Sequence, residues 1–419
     1  MVHSDKKRKF LSDITNTHDK HINRNDKGLI ISPKEMLPKI EGRDDKENYD
    51  KNLVPDKLYL QNVHPFLAMY KHDLVTEHMS YADFTQLVSY DNEIGLLQYL
   101  TDLGLLNVSQ QCVNCGGMMR KMKQGNVWYW ICTKRVNGIK CNNHKFSVRK
   151  GTFFDHSKYD IQLQLRIIWN FVHRLSIVQC KDFCNVGTKT DHTIGEIYAD
   201  CRNVCTSWIW NPEHTPKLGG YGKIVEMDES FFPGAPKFNR GRRLGTSWDD
   251  NEKWTFGLTE RESLDCILKQ VPSNRSRKSL LPIITQHILP GTLLCSDGWK
   301  AYHKLDEHVN IEDVLHFPVN HSTNYVNPET GAHTQTIEGL WGHLKDFLPT
   351  RGMKPRDLGS FLGWFMWTRF CKQRELDVFV QFLKSAAEVR PPSHFSKLPI
   401  ADMKILTTTT TVNSDEDFA

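Results

Sequence analysis

The chain has 419 residues, 39% hydrophobic and 25% charged, with a net charge of +5, the ordinary make-up of a globular protein of two or three domains. It contains no apolar run of about 18 residues, so no transmembrane helix and no membrane partner are expected. The first thirty residues lack an apolar h-region, which argues against a secretory signal, and the eleven cysteines then read as thiols or metal ligands, not as a disulfide framework.

Residues 1–52 read as a disordered tail. Phe10 and Tyr49 are the only aromatics in its first fifty positions, too little apolar surface to offset chain entropy. Its basic cluster Lys6-Lys7-Arg8-Lys9 has the form of a nuclear-import signal, giving a nuclear expectation; a solvated basic run is the alternative. Residues 53–108 read as a helical lead-in. There Ile94, Leu97, Leu100 and Leu103 or Leu105 recur at helical spacing, and Gly104 marks the helix end.

Residues 109–150 read as a zinc ribbon. From Leu103 to Phe154 there is no Asp or Glu, while Arg120, Lys121, Lys123, Lys134, Arg135, Lys140, Lys145, Arg149 and Lys150 are all basic, a nucleic-acid footprint. Cys112 and Cys115 form a knuckle, the run "VWYWIC" is β-favouring, and Cys132 and Cys141 complete four thiolates suited to tetrahedral Zn²⁺. The second pair is spaced widely, so His144 stands as an alternative to Cys141.

Residues 151–210 read as a helix-turn-helix-like region. Ile161, Leu165, Ile168, Trp169 and Val172 make one helical stripe, and Asp191 to Cys205 a second helix. A plain helical hairpin is the alternative. Cys180 with Cys184, and Cys201 with Cys205, read as helix-core thiols in preference to a second zinc site.

Residues 219–390 read as a mixed α/β sheet flanked by helices: three strands, then strand and helix in alternation, with helical text from Asp357 to about Glu388. Residues 391–419 read as a flexible tail. In "VEMDES" strand alternation puts Glu226 and Asp228 on one side. Asp297 ends an apolar strand, where open sheets bind ligands. Glu338 borders the buried stripe Ile337, Leu340, Trp341 and Leu344, with Lys345 two turns along the same side. Three such acids meeting on one sheet would repel one another unless divalent cations neutralised them. Mg²⁺ or Mn²⁺ would suit hard carboxylate ligands, two ions about 4 Å apart would serve phosphoryl transfer, and Lys345 would contact a phosphate. Trp299 and Trp341 read as core residues, and His333 as a substrate contact or a structural cap.

"EMDESFFPGAPKFNRGRR", "SDGWKAY" and "NYVNPETGAHTQTIEGLWGHLK", together with "CVNC" and "FSVRKGTFFDHSK", resemble the Merlin superfamily of cut-and-paste DNA transposases and its bacterial insertion-sequence relatives over roughly residues 110–375. The resemblance implies an RNase H-like catalytic domain preceded by DNA-binding modules. It assigns Asp228, Asp297 and Glu338 as a DDE triad followed by Lys345, acting on terminal inverted repeats and target DNA as a homodimer or higher oligomer. Arg149 and Lys150, and the basic loop with Arg240, Arg242 and Arg243, read as DNA-phosphate contacts, a solvated basic turn being the alternative for the loop. The competing readings are a domesticated zinc-ribbon and helix-turn-helix DNA-binding protein whose last domain is only a scaffold, and a non-transposing nuclease.

Overall fold

The computed structural model describes residues 78–136, 138–141, 145–155, 157–187, 190–232, 254–319, 326, 332–349 and 355–393. The tail at 1–52 with its basic cluster, His144, the basic loop bearing Arg240, Arg242 and Arg243, and residues 394–419 lie outside the described residues. Two compact units divide the chain, one carrying Ile209–Gln373 and the other the flanking segments up to Trp208 and from Arg374.

The flanking unit opens with α1 (Tyr81–Leu87), started by a capping box between Ser80 and Asp83, and α2 (Glu93–Asp102). The latter ends before Gly104, whose φ of +76° is the left-handed conformation that glycine adopts freely. The buried arc of α2 centres on Leu96 and Leu100. Ile94, expected within the stripe, falls at the arc's margin and is 50% exposed. An antiparallel hairpin follows, β1 (Arg120–Gln124) and β2 (Val127–Ile131), then a minimal hairpin of β3 (Arg135–Val136) and β4 (Ile139–Lys140), then β5 (Lys145–Ser147), which pairs with β2. Three helices come next: α3 (Ile161–Val172), N-capped by Asp160; α4 (Ile177–Cys184), capped by Ser176 and Gln179; and α5 (Asp191–Ile209).

The second unit runs β6 (Leu218–Gly219), β7 (Ile224–Phe231), β8 (Trp254–Glu260), β9 (Cys266–Val271), α6 (Arg277–His287), β10 (Ile288–Leu289), β11 (Leu293–Asp297), α7 (Leu305–His308), β12 (Leu315–Val319), α8 (Gln335–Phe347) and α9 (Pro355–Gln373). Its main sheet has the order β12-β11-β7-β8-β9. Strands β7, β8 and β9 form an antiparallel meander, while β11 runs parallel to β7 and β12 parallel to β11. The result is a mixed α/β sheet with flanking helices, as the alternating strand and helix text implies.

The helical text expected to continue the sheet domain as far as residue 390 is broken near Asp377, and its second half, α10 (Val378–Val389), belongs to the flanking unit. The cause is local. Asp377 accepts from the amides of Phe379 and Val380, capping a new helix, and also from Met79. Phe379 then meets Phe84 and Trp169, each at 5.1 Å between ring centroids, in the core of α1, α3 and α10. Periodicity registers a helix on both sides of the break but not which core each half joins. Cys180, Cys184, Cys201 and Cys205 are all buried in this unit as core thiols.

Candidate functional site

Two constellations stand out, one in each unit. In the flanking unit the knuckle Cys112–Cys115 faces Cys132 and Cys141, which bracket the β3–β4 hairpin. The four sulfurs lie within 4.8 Å of one another. Cys112 and Cys141 approach to 3.7 Å, and Cys115 and Cys132 to 3.5 Å, far beyond disulfide length. Tetrahedral zinc with Zn–S bonds of about 2.3 Å requires sulfur–sulfur edges of about 3.8 Å, so the donor set fits. Chemistry agrees with geometry. The backbone N–H of Gly117 leads the pull of the Cys115 thiol down to about 7, and the neighbouring thiols, Cys115 first, push Cys141 up to about 12. Four thiolates crowded together need a cation, and this cluster can hold a metal such as zinc. Cys141 supplies the fourth sulfur of this group among the described residues.

Around the cluster the hairpin is basic and aromatic. Lys121 lies 5.1 Å from the ring centroid of Trp130, and Lys145 lies 5.0 Å from that of Tyr129. Lys150 is exposed, but the Arg149 guanidinium is turned inward, donating to the carbonyls of Ser157 (3.3 Å) and Tyr159. In this structure Arg149 holds the turn after β5. Helix α5 exposes Asp191, His192 and Glu196 along its first turns, an acidic face and not the cationic one that phosphates attract.

The second constellation forms on the sheet. Strands β11 and β7 are parallel neighbours in the register Cys295 with Glu226 and Ser296 with Met227. One step further Asp297 comes level with Asp228, on strands about 4.8 Å apart, and the side-chain period of two puts both acids on one face. Helix α8 crosses that same face. Its Trp341 Nε1 donates to Asp228 Oδ2 at 2.9 Å, and Glu338 sits one turn earlier, accepting from the Thr334 hydroxyl at 3.1 Å. Burial foremost, with smaller contributions from the nearby charges of Asp297 and Glu338 and against the Trp341 hydrogen bond, brings the Asp228 carboxyl up to about 6. Asp228 thus lies within electrostatic reach of Asp297 and Glu338, while the group close enough to share one ion among the described residues is that of the four cysteines. Lys345 lies exposed near the end of α8.

Several groups that hold this site escaped the sequence reading. Glu226 is fully buried and accepts from the Ile337 amide at 2.9 Å, in the first turn of α8. Arg261 neutralises it at 2.6 Å and donates to the His333 carbonyl at 2.9 Å, while His333 Nδ1 lies 3.3 Å from Glu226. His333 is thus part of the anchor of α8. Gly257, opposite Asp228 on β8, leaves room for the indole: a Cβ there would meet Trp341 Cη2 at 2.6 Å. Beside Asp228, Glu229 accepts from the Tyr302 hydroxyl, and burial pushes its carboxyl up to about 7. A signal existed for Glu226: a buried acid on the same strand face as Asp228 needs a cation nearby. Nothing in the text pointed to Gly257.

Trp341 is buried, as expected, but Trp299 is 40% exposed and is not a core residue. It lies two residues after Asp297, beyond Gly298, in a turn where its amide donates to the Asp297 carboxylate at 3.0 Å, which leaves the indole outside the sheet packing.

Residues 217–350 match the family model of the ISXO2-like transposase domain, a span that includes Asp228, Asp297 and Glu338. An uncharacterized transposase-like protein of Haemophilus influenzae is 31% identical over 78 residues, which are 19% of this chain and 58% of that protein. The match thus spans little more than half the length of that relative. Among solved structures the Mos1 strand transfer complex aligns at 9% identity over 56% of this chain and 80% of that one, with a TM-score of 0.21, a likeness too weak to carry an argument. The sheet unit is therefore similar to transposase domains.

Proposed function

We propose that the chain is a metal-dependent DNA transposase of the Merlin type, with an RNase H-like catalytic domain in which Asp228, Asp297 and Glu338 form a DDE triad. The observation that carries this reading is the strand register that brings Asp297 level with Asp228 on the sheet face crossed by the helix of Glu338, within the segment that matches the transposase model. Asp228, Asp297 and Glu338 would hold Mg²⁺ or Mn²⁺, hard cations that suit carboxylate ligands. Such ions, when bound, supply Lewis-acid activation of the attacking oxygen and stabilisation of the leaving one.

The chain's own residues do the rest. Trp341 fixes the Asp228 carboxylate through one oxygen. Glu226, Arg261 and His333 hold the start of α8, and with it Glu338. Lys345 meets a DNA phosphate. At the element end water attacks phosphorus, the P–O3′ bond breaks and a 3′-hydroxyl leaves; that hydroxyl then attacks a target phosphorus, a new P–O3′ bond forms, and the target's own P–O3′ bond breaks to release a target 3′-hydroxyl. The cysteine cluster holds structural Zn²⁺ in a ribbon whose basic hairpin, with Lys150, faces the terminal inverted repeats. Arg240, Arg242 and Arg243 hold flanking phosphates. The protein acts in the nucleus as a homodimer or higher oligomer, because two element ends must be joined.

The test is Asp297→Asn in the full chain. It abolishes Mg²⁺-dependent cleavage of element-end DNA and leaves DNA binding nearly intact. Cleavage by this variant at the wild-type rate would refute the triad.

A further inference from the structure

Three residues meet at the end of the sheet next to Asp297: Trp254 at the start of β8, Arg275 after β9 and Trp299 after β11. Arg275, in the turn after β9, has φ of +40°, a left-handed conformation that costs a non-glycine residue about 1 kcal/mol and survives where its surroundings enforce it. Its amide donates to the Pro272 carbonyl at 3.0 Å. The guanidinium lies between two indoles, 3.7 Å from the ring centroid of Trp254 and 4.8 Å from that of Trp299. Its Nε is buried without a hydrogen-bond partner among the described residues, and the guanidinium is held by the two rings together with the nearby charge of Glu229. Trp299 has one face against this cation and is still 40% exposed.

That exposure opens onto a groove bounded by Asp297, Trp299, Lys300, Arg277, His303 and Pro318. Arg277 is committed to the groove wall, donating to the carbonyls of Ala301 at 3.0 Å and His303 at 2.5 Å. Lys300 is exposed beside Trp299. A flat π surface held in one plane, a cation next to it and a carboxylate of the acid site at one end make a matched set for one ligand class. A nucleobase stacks on the indole and its phosphate meets the lysine.

We infer that this groove is a slot for one unpaired nucleotide of the DNA strand at the acid site, with Trp299 as the stacking platform, Lys300 as the phosphate contact and Arg275 as the residue that fixes the indole plane. The inference rests on the reading of the sheet unit as a DNA-processing domain and adds the way in which the strand is held.

The test uses the full chain in magnesium-free buffer, where no strand is cut, and a duplex with a short single-stranded tail carrying 2-aminopurine. Wild type quenches the probe on binding. Trp299→Ala loses the quench and about tenfold in affinity for the tailed duplex, within the range for one base–aromatic stack, and binds blunt duplex unchanged. Trp299→Phe restores most of both. Equal quenching and affinity in wild type and Trp299→Ala would retire the slot, as would an equal loss on tailed and blunt DNA, which marks a structural role. Loss of magnesium-dependent cleavage bears on the triad alone. A wild type that binds neither DNA removes the slot together with the function it rests on.

Discussion

Trp341 and Asp228 are joined on one face of the central sheet by a hydrogen bond of 2.9 Å from the indole nitrogen to the carboxylate, and the absence of a side chain at Gly257 makes the approach possible. One residue thus fills the core with its ring and orients an acid with its nitrogen. The same bond works against the burial that pushes Asp228 up to about 6.

Replacing Trp341 by Phe keeps most of the packing and removes that donor. A hydrogen bond to a charged group is worth about 1.5–3 kcal/mol, so the Asp228 carboxyl rises by about one pH unit or more. The acidic limb of the pH profile for Mg²⁺-dependent cleavage moves to higher pH by that amount. An unmoved limb in Trp341→Phe would show that Asp228 does not need this donor to ionise.

Asp228 and Glu229 sit at about 6 and about 7, above the ordinary values of 3.8 and 4.5. For groups raised in the folded state, their contribution to stability is full below the unfolded values near pH 4 and is lost as pH rises through 6 to 7. In magnesium-free buffer the sheet unit is therefore less protected at pH 8 than at pH 4 as far as these two groups contribute. Asp228→Asn recovers on the order of 2–3 kcal/mol at pH 8 and little at pH 4. Hydrogen exchange of the β7 and β8 amides, with and without Mg²⁺, reads both effects. Equal protection of variant and wild type at pH 8 would mean that Asp228 carries no such penalty.

The cysteine cluster makes a separate prediction. Cys112→Ser with Cys115→Ser removes two of four donors that lie within 4.8 Å of one another. Zinc content falls by about one ion per chain, the β1–β2 hairpin loses protection, and DNA affinity drops, because a module this small depends on its metal to fold. A zinc content equal to that of wild type would eliminate the site.

The sequence by itself determined the elements and much of their chemistry. Alternation along "VEMDES" set Glu226 and Asp228 on one face, the stripe Ile337, Leu340, Trp341 and Leu344 is buried as the helical period requires, and cysteine spacing picked out four thiols that do meet. These are local properties, fixed by backbone periods of 2 and 3.6 residues and by the types of side chain they carry. Tertiary structure decided what depends on neighbours far away in the chain. The parallel register of β11 on β7 brings Asp297 level with Asp228, and Glu226 became the anchor of α8 because Arg261 and the Ile337 amide reach it. Arg149 was drawn to two carbonyls, Trp299 was left outside the packing, and α10 joined another core once Asp377 had capped it. None of this has a period to read, since register, burial and the partner of a charge are set by which surfaces exclude water together, and that is a property of the folded chain.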